Sequence, residues 1–208
     1  MKTILLTSAG MDIKEEILKV LPKSPEQMKV AHIITASKPE KNTSYVAKDK
    51  DAMVKEGFQV EDIDLEGKSE PELKEVLRDK DIIYVQGGNT FYLLKYAKQS
   101  GFDELVKKLI GEGKIYIGVS AGSYIACPTI EMATWKKHQD RERIGLTDLS
   151  ALNLVPFLLS VHYVDEYKGI LKEAISKTKY KVRILTDEQA IFVINDEIKF
   201  IGGEEIKL

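Results

Sequence analysis

The sequence predicts an α/β fold: a three-layer, doubly wound, mostly parallel sheet with helices on both faces and a C-terminal β-hairpin. Short apolar runs typical of strands alternate with amphipathic segments of helical length. Most of these runs are continuously apolar, as expected of strands covered on both faces. Small-residue and glycine-rich turns directly follow two of them. We treat residues 1–208 as one domain, because no linker or change of composition divides the chain.

Strands and helices alternate regularly up to Cys127. The predicted strands are Thr3–Thr7, Val30–Thr35, Phe58–Ile63, Ile82–Val85 and Ile115–Val119. The predicted helices between them are Met11–Leu21, Tyr45–Glu56, Pro71–Arg78 and Thr90–Glu112, the last interrupted at Gly101. This alternation is typical of βαβ units in a parallel sheet.

The pattern changes after Cys127. Glu131–Ser150 is polar and irregular, which indicates a long surface excursion that closes one side of the site. Val164–Thr178 has helical periodicity. Three short strands follow, Val182–Leu185, Ala190–Ile194 and Ile198–Ile201, and the last two form a hairpin.

The composition excludes several classes of function. The 31 Lys and Arg residues against 33 Asp and Glu give a net charge of −2, so we expect no nucleic-acid partner. No apolar stretch approaches the roughly 18 residues of a membrane span, and the first apolar run is too short for a signal peptide. The single cysteine and the lack of a Cys/His cluster predict neither a disulfide nor a metal site. We therefore expect a cytoplasmic protein, monomeric or homodimeric.

The strongest local motif is Gly118-Val119-Ser120-Ala121-Gly122, which matches G-x-S-x-G after an apolar strand. In a nucleophile elbow the serine lies on a tight strand-to-helix turn, and small neighbours avoid clashes there. The N–H of Ala121 would then face a developing oxyanion at the start of the next helix. On the pattern alone, a small-residue turn without chemistry is equally compatible.

A second motif, Gln86-Gly87-Gly88-Asn89-Thr90, follows the strand Ile82–Val85. Glycines at the carboxyl end of a parallel strand allow main-chain N–H groups to approach a ligand, so Gly88 is a candidate second oxyanion donor. The alternative is a plain helix start with Asn89 or Thr90 as its N-cap. The segment lacks the G-x-x-x-x-G-K-[ST] pattern of a phosphate loop.

His162 follows the apolar run Phe157–Val161, and we expect it at the same carboxyl edge of the sheet as Ser120. There it would accept the serine proton and return it to a leaving amine. The other interpretation is a capping or partly buried histidine. His32 lies within a predicted strand and is expected in the core, whereas His138 lies in a charged run at the surface.

Three blocks together resemble the peptidase E family of serine dipeptidases, whose fold is similar to class I glutamine amidotransferases. The blocks are Tyr84–Leu94 (Y-V-Q-G-G-N-T-F-Y-L-L), Tyr116–Ile130 (Y-I-G-V-S-A-G-S-Y-I-A-C-P-T-I), and Ala151–Phe157 (A-L-N-L-V-P-F) followed by His162-Tyr163. Their order and spacing match over most of the chain. Together they are far more specific than G-x-S-x-G alone.

The resemblance implies functional roles for these residues. Ser120 would be the nucleophile and His162 the general base, with the main-chain N–H groups of Gly88 and Ala121 as oxyanion donors. Asn89 and Thr90 are assigned to substrate binding. The implied chemistry is serine acylation without a metal or cofactor, acting on a small peptide substrate.

The sequence departs from the family in its acid. Family members carry an aspartate about 15–17 residues after the serine to orient the histidine. Here Trp135, Lys136 and Lys137 occupy that window. We favour Asp140 as the acid, because a loop insertion would shift the register by a few residues. Glu131 is the second choice and Glu142 lies nearby; the last option is that no acid reaches His162.

Substrate recognition departs as well. The aspartyl dipeptidases carry arginines in the helical region after the histidine, where Val164–Lys179 has none. Arg141, Arg143 and Arg183 are the remaining arginine candidates, and Gln86 replaces the first glycine of the family's three-glycine run.

The predicted function is therefore a serine exopeptidase acting on dipeptides or short peptides, with Asp-X substrates to be tested first. The alternative is a catalytically impaired family member that binds a small molecule or peptide. An esterase of the α/β-hydrolase type ranks lower, since its acid and histidine usually lie further along the chain. Glutamine amidotransfer is disfavoured, because Ser120 holds the nucleophile position and Cys127 is expected in the core.

Overall fold

The computed structural model describes residues 2–136, 144–195 and 197–208. The strands, in chain order, are β1 (Thr3–Thr7), β2 (Lys29–Ile33), β3 (Gln59–Ile63), β4 (Ile82–Val85), β5 (Ile115–Val119), β6 (Leu158–Ser160), β7 (Val182–Ile184), β8 (Ala190–Ile194) and β9 (Glu197–Ile201). The helices are α1 (Lys14–Lys19), α2 (Ser44–Lys55), α3 (Glu70–Leu77), α4 (Thr90–Gln99), α5 (Phe102–Gly111), α6 (Ala121–Ile125) and α7 (Lys168–Lys177). Short 3₁₀ turns precede α1 and α7 at Gly10–Ile13 and Asp165–Tyr167.

Seven strands form the main sheet in the order β3-β2-β4-β5-β1-β8-β9. The first five of this order are parallel, β8 is antiparallel to β1, and β9 is antiparallel to β8. The predicted mostly parallel sheet with a terminal hairpin is therefore confirmed.

Helices cover both faces of this sheet. For this reason β1, β4 and β5 are buried along their whole length. Alternate residues of β1 point to opposite faces. Ile4 and Leu6 contact the core beneath α3 to α6, and Leu5 contacts the core beneath α1 and α2. Burying one such side chain contributes about 1.5–3 kcal/mol, so strands that are apolar on both faces favour the three-layer arrangement.

The helix boundaries follow the expected signals with two differences. Gly101 has a φ of 74° and separates α4 from α5 as predicted. Met11–Leu21 and Val164–Thr178 each begin as a 3₁₀ turn, so their α-helical parts are shorter than predicted.

The largest difference concerns the chain before and after α7. The run that precedes His162 forms β6, which pairs in parallel with β7 in a separate two-stranded sheet. It cannot extend the main sheet beside β1, because β8 already pairs with that strand. The run before His162 is therefore not part of the main sheet, but His162 itself lies at the predicted carboxyl edge of that sheet, in contact with Ser8 and Ser120.

The segment predicted as a surface excursion is partly packed. It begins with a 3₁₀ turn at Glu131–Thr134, in which Met132 and Ala133 are buried. A bridge between Thr129 and Ser150 joins its two ends. Residues 137–143, including His138, lie outside the described residues.

Among the helices that the structure describes, none combines the length and the apolar character that crossing a membrane requires.

Candidate active site

Ser120 lies on the turn between β5 and α6, in a main-chain conformation that is rare for a residue with a side chain. Its φ is 48° and its ψ is −102°. Its N–H donates to the Thr7 carbonyl at 3.0 Å, and its own carbonyl accepts from the Tyr124 N–H at 2.9 Å. Such conformations cost about 1–3 kcal/mol and persist where the surroundings determine them. The turn therefore has the geometry of a nucleophile elbow.

The two glycines of the motif are required by close main-chain packing. A Cβ atom on Gly118 would lie 2.7 Å from the Gly122 carbonyl oxygen, and one on Gly122 would overlap the Val85 carbonyl. The G-x-S-x-G pattern is therefore a steric consequence of α6 starting directly against β4 and β5.

The imidazole of His162 faces the hydroxyl of Ser120. The distance from His162 Nε2 to Ser120 Oγ is 3.0 Å. His162 follows β6 and has a φ of 54°, and its N–H donates to Ser8 Oγ at 3.1 Å. The structure thus brings together the two side chains that the sequence predicted as partners, although they are 42 residues apart.

Asp187 contacts the other nitrogen of His162, with 2.5 Å between Nδ1 and Asp187 Oδ1. It lies in the loop between β7 and β8. The hydrogen bond with His162 lowers the pKa of the Asp187 carboxyl, against the opposing effect of burial, so this carboxyl favours its ionised form. A carboxylate that accepts from Nδ1–H leaves Nε2 free to accept a proton from Ser120.

Sequence reasoning missed Asp187 and favoured Asp140. Asp140 and Glu142 lie outside the described residues, and the bond to Nδ1 is made by Asp187 rather than by Glu131. One signal was available: Asp187 comes two residues after the predicted strand Val182–Leu185, at a strand end where functional side chains collect. The family's spacing points instead to an acid shortly after Ser120, whereas Asp187 follows His162 in the chain.

The glycine loop crosses directly over Ser120. A Cβ atom on Gly87 would lie 3.2 Å from Ser120 Cβ, and one on Gly88 would overlap the Ala36 carbonyl. Gly88 has a φ of 131°, which favours glycine. These contacts explain why the loop contains two glycines in succession.

The side chain of Gln86 anchors this loop from below. It is completely buried, and its Oε1 accepts from the Gly87 N–H at 2.7 Å. Its Nε2 donates to Asp49 Oδ2 at 2.9 Å, and the Tyr84 hydroxyl donates to the same oxygen at 2.7 Å. Burial and the Asp49 charge together raise the pKa of Tyr84 well above its usual value, so the hydroxyl remains a donor.

His32 extends the same network deeper into the core, where the sequence predicted it. It is fully buried, and its Nδ1 lies 2.9 Å from Asp62 Oδ1. Burial lowers the pKa of His32, and Asp62 opposes this shift.

Asn89 and Thr90, assigned to substrate binding from the sequence, have a structural position instead. The Asn89 side chain accepts from the Tyr92 N–H at 3.0 Å and caps α4, and both residues are buried. Neither is among the described residues that line the cavity above Ser120. Here the helix-start interpretation of the motif is correct.

The cavity above Ser120 has a volume of about 370 Å³. Its lining includes Ser8, Gly87, Gly88, Ser120 and His162. The charged residues Asp12, Glu40, Lys48 and Asp49 also line it, and Lys48 and Asp12 form an ion pair at 2.6 Å. Within the described ranges, no group of three or more metal-ligating side chains is found.

A strand–turn–helix serine joined through a histidine to an aspartate defines the class of serine hydrolases. Comparison with known proteins narrows this class. The model of peptidase family S51 matches residues 4–201. The chain therefore belongs to peptidase family S51, and it is a serine peptidase.

Relatives support this assignment over nearly the full length. An uncharacterised peptidase of Listeria monocytogenes is 35% identical over 201 residues, covering 95% of this chain and 97% of that protein. An uncharacterised peptidase of Pasteurella multocida is 32% identical over 206 residues, covering 98% of each. Peptidase E of Escherichia coli is 33% identical over 101 residues, which is 47% of this chain and 42% of that protein.

Solved structures confirm the fold. A crystal structure of a candidate peptidase E from Listeria monocytogenes EGD-e superimposes with a TM-score of 0.86 at 34% identity, covering 98% of this chain and all of that one. A peptidase from an acI-B1 actinobacterium shares the fold alone, with a TM-score of 0.68 at 15% identity over 98% of this chain and 88% of that one.

Proposed function

We propose that this protein hydrolyses dipeptides or short peptides, with Ser120 as nucleophile, His162 as general base and Asp187 as the acid that orients His162. The observation that carries the proposal is the continuous contact from Asp187 through His162 to Ser120, at 2.5 Å and 3.0 Å. An acid in contact with His162 removes the main argument for an impaired, purely binding protein.

The reaction proceeds in two halves. Ser120 Oγ attacks the scissile carbonyl while its proton passes to His162 Nε2, and Asp187 stabilises the resulting imidazolium through Nδ1–H. When the tetrahedral intermediate collapses, the C–N bond breaks and His162 returns the proton to the leaving amine. Water then attacks the acyl-enzyme with His162 again as base, releasing the acid product and restoring the Ser120 hydroxyl.

Gly88 and Ala121 are proposed as the oxyanion donors. Ala121 is the first residue of α6, where a helix presents N–H groups without intrahelical partners. Among the described residues, neither the Gly88 nor the Ala121 N–H donates a hydrogen bond within the protein. Both remain available to a negatively charged oxygen above Ser120.

The cavity supports a short substrate and argues against strict Asp-X specificity. Its volume lies near the lower end of the roughly 300–1,000 Å³ typical of small-molecule sites. Acidic residues outnumber Lys48 on the described walls, and Lys48 is already paired with Asp12. Of the arginines named from the sequence, Arg141 and Arg143 lie outside the described residues. Arg183 pairs with Glu205, and its side chain is only 11% exposed. We therefore propose that N-terminal residues other than aspartate are cleaved at least as well.

A Ser120→Ala variant tests the proposal on a panel of Asp-X, Ala-X and Lys-X dipeptides. We expect kcat to fall by about 10⁴-fold or more, because the nucleophile is removed. A fluorophosphonate probe should label the wild type and a Ser176→Ala control, which alters an exposed serine of α7.

Equal peptide hydrolysis by Ser120→Ala and wild type would refute the proposed nucleophile. Labelling of Ser120 with ester hydrolysis but no peptide cleavage would indicate an esterase. A folded protein that the probe does not label would support the binding alternative.

A further inference from the structure

Lys136 is a buried lysine directly behind His162, and the mechanism above does not use it. Only 1% of the residue is exposed. Its Nζ donates to the Val161 carbonyl and lies 3.4 Å from the His162 carbonyl oxygen. The same ammonium lies 4.8 Å from the centre of the Tyr167 ring. The Lys136 side chain thus places its ammonium against the main chain of His162, the proposed general base.

These contacts support an uncommon main-chain conformation of His162. Its φ of 54° lies in the left-handed region, which few residues with a side chain adopt. The N–H of His162 is held by Ser8, and the carbonyls on both sides of its Cα are held by Lys136. The main chain is therefore fixed from two directions, and the imidazole is aimed at Ser120.

The charge of Lys136 also acts on the acid of the site. Burial lowers the pKa of Lys136 to about 8, while attraction to the Asp187 carboxylate opposes this shift. Lys136 in turn helps to lower the pKa of Asp187. Among the described residues, the titratable groups that face the ammonium are Asp187 on the β7–β8 loop, His162 after β6, and Tyr167 before α7.

We propose that Lys136 is a positioning residue, whose ammonium fixes the main chain of His162 so that the imidazole is presented to Ser120. This inference rests on the proposed roles of Ser120, His162 and Asp187. It adds a fourth side chain on which the reactivity of the serine depends.

The test is Lys136→Met, which keeps the apolar stem and removes the charge, compared with Lys168→Met at an exposed position of α7. Removing the ammonium leaves the Val161 and His162 carbonyls without this donor, so the melting temperature of the variant should fall. We expect kcat of the folded Lys136→Met protein to fall about 10- to 100-fold while KM changes little. Lys168→Met should behave like wild type.

The pH profile separates positioning from a merely structural role. Wild-type kcat should decline as pH rises through about 8, where Lys136 loses its charge. That decline should be absent in Lys136→Arg, which stays charged over the range, even if its kcat is reduced. If Lys136→Met does not fold, the comparison of wild type with Lys136→Arg decides the question.

A fluorophosphonate provides a readout that needs no peptide substrate. Its inactivation rate should fall in Lys136→Met by the same factor as kcat. In an Asp187→Asn background the Lys136→Met change should cost much less, because both act through His162. Failure of the dipeptide assay with intact labelling would refute the peptide substrate and leave this comparison valid. The inference would be overturned if Lys136→Met had the same kcat, labelling rate and pH profile as the wild type.

Discussion

The two sides of the site are supported in different ways. Ser120 is held almost entirely by main-chain atoms: its N–H and carbonyl bond to Thr7 and Tyr124, and glycines on both sides admit close packing. His162 is held by three side chains distant in sequence, Ser8, Lys136 and Asp187. The nucleophile thus depends on local steric exclusion, and the base depends on long-range polar contacts.

Solvent exposure follows the same division. Val119 and Ala121, on either side of Ser120, are buried. The His162 side chain is 37% exposed and that of Asp187 is 60% exposed. We therefore expect changes to the glycines that pack around Ser120 to affect folding, and changes to the side chains that hold His162 to affect catalysis.

The largest expected effect on stability comes from Gly122→Ala. A Cβ atom at this position would overlap the Val85 carbonyl of β4, and neither main-chain segment can move without breaking the sheet. We expect a loss of more than about 3 kcal/mol in the free energy of unfolding, measured by denaturant titration. Gly169→Ala in α7 is the matched control, since its Cβ meets open space, and should be neutral or slightly stabilising. A Gly122→Ala protein as stable as wild type would contradict the steric role given to the glycines around Ser120.

Asp187→Asn should leave the fold intact and reduce kcat by up to about 10⁴-fold, because the amide no longer enforces the correct His162 tautomer. The Asp187 pKa is lowered in the folded protein, so its stabilising contribution is present above the ordinary carboxyl pKa and is lost as pH falls through the lowered value. Asp140→Asn is the control and is expected to retain activity. Loss of activity in Asp140→Asn with full activity in Asp187→Asn would show that Asp140, the acid favoured from the sequence, orients His162.

Gln86→Leu should have the smallest of the three effects. The Gly87 N–H would lose its acceptor and Asp49 would lose a donor, which loosens the loop that carries Gly88. We expect kcat to fall about 10-fold with KM almost unchanged, since removing an oxyanion donor outright costs about 10²–10³. The exposed Gln99→Leu change on α4 serves as the control. A rise in KM at constant kcat would show that Gln86 acts on substrate binding instead.

The same division explains what the sequence could predict. β4 and β5 have the predicted bounds, and Gly101 separates two helices as expected, because apolar runs and glycines act locally. Ser120 was identified because its glycine neighbours are required by the same turn that exposes it. His162 was identified only through its order relative to the other blocks, and its position at the end of a second sheet was not foreseen.

Long-range contacts account for the failures. Asp187 reaches His162 because β7 pairs with β6, and that three-residue pairing leaves little trace in the sequence pattern. Asn89 was assigned to substrate, although its spacing to Tyr92 fits a helix cap equally well. The number of domains, the oligomeric state and the cytoplasmic location remain predictions.

The small β6–β7 sheet has a consequence for inactivation. His162 follows β6 and Asp187 follows β7, and each of these strands has only three residues. Ser120, by contrast, follows a strand of the seven-stranded sheet. Weakly paired segments open with less free energy than a central core. Mild denaturant should therefore abolish turnover while circular dichroism still reports a native fold. Dilution of the denaturant should then restore activity without refolding of the core.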